Sequence, residues 1–180
     1  MYRSVACGAV LLTFISVLWG TFSVEATGQR APQIQRVAFS AGRTSHLHLQ
    51  NATNITYDRV FTNIGNGYNK TSGIFTVPEG AAGTYVFMFH GLAQRSGKFW
   101  LDLYKNSVYV ISAYAHTSHE FGSSSNVAAM ELQEGDYVHI QGRGDNLLFG
   151  KSDEVYNTFN GYLLYPAILR PKYGMSNVLN

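Results

Sequence analysis

Residues 83–90 read GTYVFMFH, with Tyr85, Phe87 and Phe89 alternating with Thr84, Val86 and Met88. Strict alternation at this length predicts a β-strand, because successive side chains point to opposite faces of a sheet. One face is wholly aromatic and must enter a core. The other carries Val86 and Met88, not the polar set that a sheet with one face in water presents. A chain holding such a strand needs a second sheet against the aromatic face and a further layer, a neighbouring chain or a covering loop, over Val86 and Met88.

The rest of the sequence supplies strands in the same style. Candidates run over residues 36–41, 45–50, 55–63, 74–78, 83–94, 98–106, 107–115, 127–133, 136–142 and 159–166. Between them stand the breakers GNG, NKTSG, PEGAAG, KNS, GSSSN, EG and RGDN. No amphipathic helical run of useful length interrupts them, and neither a solenoid nor a propeller repeat is visible. Short strands at this spacing predict an all-β sandwich or barrel. With 180 residues, 46% of them hydrophobic and 13% charged, the chain is suited to a single folded domain. A net charge of +2 without basic runs carries no nucleic-acid or polybasic membrane footprint.

The ends read differently. Arg3 precedes the apolar stretch ACGAVLLTFISVLWGTF, and VEA at 24–26 offers a small-residue cleavage site. Residues 1–26 are therefore expected to be a secretory signal peptide, the rival reading being an uncleaved anchor. Residues 27–35 form a short polar lead with no Gly-X-Y repeat, hence no collagen-like stalk, and no heptads. Residues 36–166 form the globular domain, and 167–180, behind Pro166, a C-terminal tail. The one cysteine, Cys7, lies inside the expected signal, so the mature chain would hold itself by burial or association without disulfides. Sequons at Asn51, Asn54 and Asn69 predict N-glycosylation and fit a secreted, extracellular protein.

The order and spacing of several segments together resemble the C1q globular domain. They are VAFSA at 37–41; Tyr57, Asn63, Tyr68 and Phe75; Gly83-x-Tyr85-x-Phe87-x-Phe89; WLDLYKN at 100–106; LQEGDYVHI at 132–140; and FNGYLLYP at 159–166. The resemblance implies a ten-stranded jelly-roll sandwich akin to tumour necrosis factor, assembled as homotrimers or heterotrimers. Sister chains would then supply the layer over Val86 and Met88. Two departures stand out: Tyr57 occupies a position where Phe is usual, and EGAA lengthens the stretch from Phe75 to Gly83 by two residues.

Candidate chemistry is sparse. Gly-x-Ser-x-Gly is missing, the mature chain has no cysteine nucleophile, and no carboxylate pair has an apolar setting, so no enzyme is expected. RGD at Arg143–Asp145 is either an adhesion motif or, the favoured reading, an ordinary Gly-rich hairpin turn at a loop end suited to ligand contact. His46 with His48, and His116 with His119 and Glu120, are weak zinc candidates beside a plainer reading as exposed strand and loop residues. Calcium, which the resemblance would place on Asp and Gln of the 115–122 loop, meets Ala115, His116 and Gly122 here, so its ligands look lost and no metal or cofactor is expected. Trp100 and Tyr109 are assigned to packing. Tyr114 and Tyr156, near loops, are candidate sugar-stacking residues beside Arg143, Asp145, His116 and His119. The expected role is a trimeric, lectin-like binder of microbial or cell-surface carbohydrate or another extracellular surface ligand in innate immunity. The alternatives are a cytokine-like trimer for a cell receptor and a matrix component.

Overall fold

A computed structural model describes residues 35–50 and 52–167. The expected signal peptide, all but the last residue of the polar lead, Asn51 and nearly all of the C-terminal tail lie outside them. Thirteen strands follow one another: β1 Ala38–Arg43, β2 Leu47–Leu49, β3 Thr53–Asn54, β4 Arg59–Ile64, β5 Tyr68–Asn69, β6 Ile74–Thr76, β7 Gly83–Leu92, β8 Lys98–Lys105, β9 Val108–His116, β10 Ser123–Leu132, β11 Tyr137–Gly142, β12 Asn146–Leu148 and β13 Asn157–Pro166. One sheet has the order β10-β7-β13-β1-β4. The other runs β5-β6-β11-β8-β9, with β3 pairing β11, and a two-stranded ribbon joins β12 to β2. All pairings are antiparallel, and the two large sheets face each other as a jelly-roll sandwich.

All ten expected strands have counterparts; the three additions, β3, β5 and β12, are two or three residues long. GSSSN is not a breaker beyond its glycine, because Ser123 to Asn126 pair with Leu92 to Phe89 and begin β10. β10 is an edge strand, on which Ser123 and Ser125 are exposed and Ser124 is half-buried. The β8–β9 turn has Asn106 and Ser107 both at positive φ, the mirror-image geometry that matches strand twist in two-residue hairpins.

β7 behaves as its alternation predicts. Tyr85, Phe87 and Phe89 are fully or almost fully buried, while Thr84, Val86, Met88 and His90 are half-buried. Val86 sits between Ala129 of β10 and Tyr162 of β13, and Met88 between Val127 and Asn160. A single chain thus leaves this outer face neither closed nor open, with Val127 57% and Tyr162 37% exposed beside it. The inner face locks the sheets together. Phe39 stacks on Tyr68 at 4.9 Å and Phe75 at 5.0 Å, and meets Phe159 edge-on at 4.9 Å. Gly161 makes room for this set, since a Cβ there would come within 2.7 Å of Phe39 and Phe87 ring carbons. Each buried ring contributes about 1.5–3 kcal/mol through lost water contact.

Tyr57, the departure from Phe, is fully buried, and its hydroxyl has no hydrogen-bond partner among the described residues. Burial pushes its ionisation far upward. An unpaired buried hydroxyl costs roughly 1–3 kcal/mol. Tyr57→Phe should therefore raise stability by about 1 kcal/mol, read as a thermal midpoint about 2–4 °C higher by calorimetry; an unchanged or lower midpoint would show that the hydroxyl is satisfied.

Candidate functional site

β8 carries two kinds of side chain by parity. Phe99, Leu101 and Leu103 point into the core and are fully buried. Lys98, Trp100, Asp102 and Tyr104 point outward, and antiparallel pairing sets them against His116, Tyr114, Ser112 and Tyr109 of β9. Trp100 and Tyr114 are 39% and 50% exposed with ring centroids 5.2 Å apart. Trp100 and Tyr109, expected in packing, therefore lie on the surface, Tyr109 at 49% exposure. For Trp100 the reason is its parity with Lys98 and Asp102, which outweighs the apolar character of a single ring. Tyr109 shares the parity of the buried Ala113 and Ala115 and comes opposite the outward Tyr104 through a register shift between Leu103 and Tyr104.

Asp102 belongs to this outer face yet is only 1% exposed. Its Oδ1 accepts from Ser112 Oγ at 2.5 Å and its Oδ2 from Arg143 Nε at 2.7 Å, so the buried carboxylate is fully engaged. The Arg143 guanidinium lies 4.5 Å from the Trp100 ring centroid and 5.6 Å from that of Tyr109. Its bond to Asp102 raises an already high pKa, so it remains a cation.

The RGD turn is fixed from below. Arg143 N–H donates to Trp100 O at 2.9 Å, Trp100 N–H to Asn146 Oδ1 at 2.6 Å, and Asn146 Nδ2 to the carbonyls of Arg143 and Gly144. Gly144 takes a positive φ of 66°, and Asn146 is fully buried. Asp145 pairs with His48 of β2 at 2.9 Å. Both charged ends of the motif thus have partners within the chain, the arrangement of a braced hairpin turn.

Arg143, Asp145 and Tyr114 converge on one cleft of about 170 Å3, lined also by Lys98, Phe99, Trp100 and Gly144. His116 and His119 are exposed and line neither this cleft nor the one holding Tyr156. His46 accepts from the Gly150 N–H and His48 pairs with Asp145, so these two serve separate contacts. Among the described residues, no group of three or more His, Cys, Asp or Glu converges as metal ligands would. At the expected calcium positions Ala115 is buried at 9% exposure, Gly122 has no side chain, and nearby Glu120 is paired with Arg95 at 2.8 Å. That donor set does not fit a cation that takes six to eight oxygens. Asn69 is exposed, and its Oδ1 accepts from the Thr71 and Ser72 N–H groups, whereas Asn54 is half-buried on β3.

Beyond Asp102 the outer face continues as an aromatic ladder. His139 of β11 stacks on Tyr104 at 5.5 Å and lies nearly parallel to Tyr137 at 6.1 Å. It is 7% exposed, and its Nδ1 has no partner among the described residues.

A C1q domain model matches residues 38–164. The chain belongs to the C1q domain family. Zebrafish (Danio rerio) Caprin-2 is 39% identical over 136 residues, 72% of this chain and 14% of that protein. A polypeptide of the human (Homo sapiens) complement C1q subcomponent is 31% identical over 137 residues, 73% of this chain and 51% of that protein. The chain thus spans only part of the curated relatives it matches. Among solved structures, the globular domain of zebrafish complement 1qA superposes with a TM-score of 0.60 at 25% identity, covering 73% of this chain and 99% of that one. Murine APRIL, at 11% identity and a TM-score of 0.57 over 72% of this chain and 99% of its own, shares the fold.

Two outcomes follow from this geometry. Trp100 is the one tryptophan outside residues 1–26, so its emission reports the cleft alone in protein lacking that segment. Arg143→Ala should red-shift that emission and make it more readily quenched by acrylamide, and Arg143→Lys should not restore it, because a planar guanidinium stacks where an ammonium does not; a spectrum identical to the parent's would refute the stacking. Second, burial lowers the His139 pKa in the folded chain. The unfolded chain takes up the proton first as pH falls through about 6.5, so stability is full above that value and declines toward the folded pKa. His139→Phe should keep the stack and flatten the fall in melting temperature between about pH 7.5 and pH 5; parallel profiles would assign the pH dependence elsewhere.

Proposed function

We propose that the protein is a secreted, non-enzymatic recognition module that assembles as a homotrimer and binds carbohydrate on microbial or cell surfaces through the Trp100–Tyr114–Arg143 cleft. The observation that carries this reading is the preorganised cleft itself. Two exposed rings stand beside a guanidinium whose position is set by a buried carboxylate and a hydrogen-bonded turn. A pyranose ring presents C–H groups that pack on an aromatic face and hydroxyls that bond adjacent polar groups. Here Arg143 and Lys98 offer donors, and Asp145 an acceptor, around the rings.

Family membership supports the trimer, and the outer face of the β10-β7-β13-β1-β4 sheet supplies a surface for it. Val86 and Met88 are half-buried, with Val127, Tyr162 and Ile64 exposed around them. Three copies of a weak site on one rigid body turn modest affinity into avidity on a repetitive surface. The amino-terminal leader and the sequons support export.

Two measurements test the reading. Light scattering on secreted protein should give the mass of three chains, and Val127→Arg should lower it toward one; a monomeric parent would remove the avidity. Surface plasmon resonance over immobilised bacterial polysaccharides should show binding that Trp100→Ala and Tyr114→Ala each weaken by about tenfold or more, roughly 1.4 kcal/mol. Undiminished binding in both variants would place the sugar site elsewhere, and no binding to any polysaccharide would defeat the carbohydrate reading.

A further inference from the structure

A second cleft, of about 320 Å3, is lined by Leu92, Phe121, Phe149, Lys151, Glu154 and Tyr156. We propose that it is a binding site for an alkylammonium head group of the choline type, held by the faces of Phe121, Phe149 and Tyr156 with Glu154 as counter-charge. The proposal stands apart from the carbohydrate reading, which concerns the other cleft.

The shape of the cup argues first. Phe149 forms a common wall: Phe121 meets it at 4.8 Å with planes inclined by 68°, and Tyr156 at 5.5 Å with planes inclined by 58°. Three rings inclined to one another around one cleft give it more than one aromatic surface. A compact cation gains from several ring faces at once, because each carries the negative side of its quadrupole. Phe121 already attracts one cation: the Arg95 guanidinium lies 5.5 Å from its centroid, its charge answered by Glu120 at 2.8 Å. The volume falls at the lower end of small-ligand sites, which suits a single head group.

Charge argues next. At the rim Lys151 bonds Glu154 at 2.9 Å and Asp153 at 3.3 Å, and Arg59 bonds the Ser152 carbonyl at 2.7 Å. The Tyr156 hydroxyl donates to Glu154, and with Lys151 it holds that carboxyl below its usual range, so the carboxylate is ionised. The ionised Glu154 carboxylate offers an incoming cation a counter-charge beside the rings. The cleft is anchored as well. Phe149 N–H donates to Leu92 O at 2.8 Å, Asn157 Nδ2 bonds the Phe149 carbonyl, and His90 Nδ1 lies 2.6 Å from Tyr156 O.

The test titrates the secreted protein, by calorimetry or ligand-observed NMR at constant ionic strength, with choline chloride and with 3,3-dimethylbutan-1-ol, its neutral isostere. Choline should bind saturably and at least about tenfold more tightly than the isostere. Glu154→Gln should weaken choline without weakening the isostere, Phe121→Leu, at an exposed ring, should weaken choline, and Trp100→Ala should leave choline unaffected. Equal affinity for the two compounds would reduce the site to a greasy cleft. Loss of choline binding in Trp100→Ala would move it to the other cleft, and no saturable choline binding would end the proposal.

Discussion

The contact on which the rest of the structure depends is the packing of Phe39 against Tyr68, Phe75 and Phe159 across the sandwich. Phe39 and Phe159 come from one sheet, Tyr68 and Phe75 from the other, so this cluster sets how far apart the sheets stand and which faces meet. It exists because Gly161, between Phe159 and Tyr162, leaves the volume that Phe39 and Phe87 occupy. Once these rings fix which side of each strand points inward, alternation fixes the outward side chains too, except across the register shifts in the β1–β4, β8–β9 and β13–β7 pairings. The surface sites are in this sense by-products of the core: Trp100 faces water because Phe99 and Leu101 do not.

That dependence also explains what could be read from the residues alone. The inward face of β7 was legible, since Tyr85, Phe87 and Phe89 share one parity and nothing polar interrupts them. β3, β5 and β12 were not, because two or three residues cannot display a period, and their pairing with β11, β6 and β2 is a tertiary event. GSSSN misled because serine and asparagine suit a turn and the exposed face of an edge strand equally well. The expected placement of Trp100 and Tyr109 rested on residue type; for Tyr109 the register shift between Leu103 and Tyr104 hides the pattern, but the strand of Trp100 held a better signal. Lys98, Trp100, Asp102 and Tyr104 share a parity opposite to Phe99, Leu101 and Leu103, and a lysine and an aspartate at that parity mark the outer side. Asp102 as the pivot of the cleft was beyond reach, because its partner Arg143 is 41 residues away.

The RGD tripeptide shows how context decides a short motif. Its turn character was plain from Gly144 and the neighbouring Asn146, and Asn146 proves to be the brace, bonding three main-chain groups while fully buried. With Arg143 held over Trp100 and Asp145 tied to His48, the arginine is part of a stacked aromatic surface. Pulling Arg143 away from this surface would leave the Asp102 carboxylate buried without its cation, a costly state.

The same carboxylate clarifies why the two sheets present such different outer faces. On the β8–β9 side, burying Asp102 is tolerable only because Ser112 and Arg143 satisfy it, and an isosteric apolar pair would pack there at no such risk. What the charged pair adds is direction: it aims a planar cation at Trp100 and keeps a polar, exposed surface around the rings, ill suited to burial against another copy. On the β7–β10 side the corresponding positions are Val86, Met88, Val127 and Tyr162, with no buried charge among them to satisfy. A face of that kind gains by being covered, whereas the cleft gains by staying open. The proposed assembly through one sheet and recognition through the other is therefore the division of labour that the side-chain chemistry of the two faces favours.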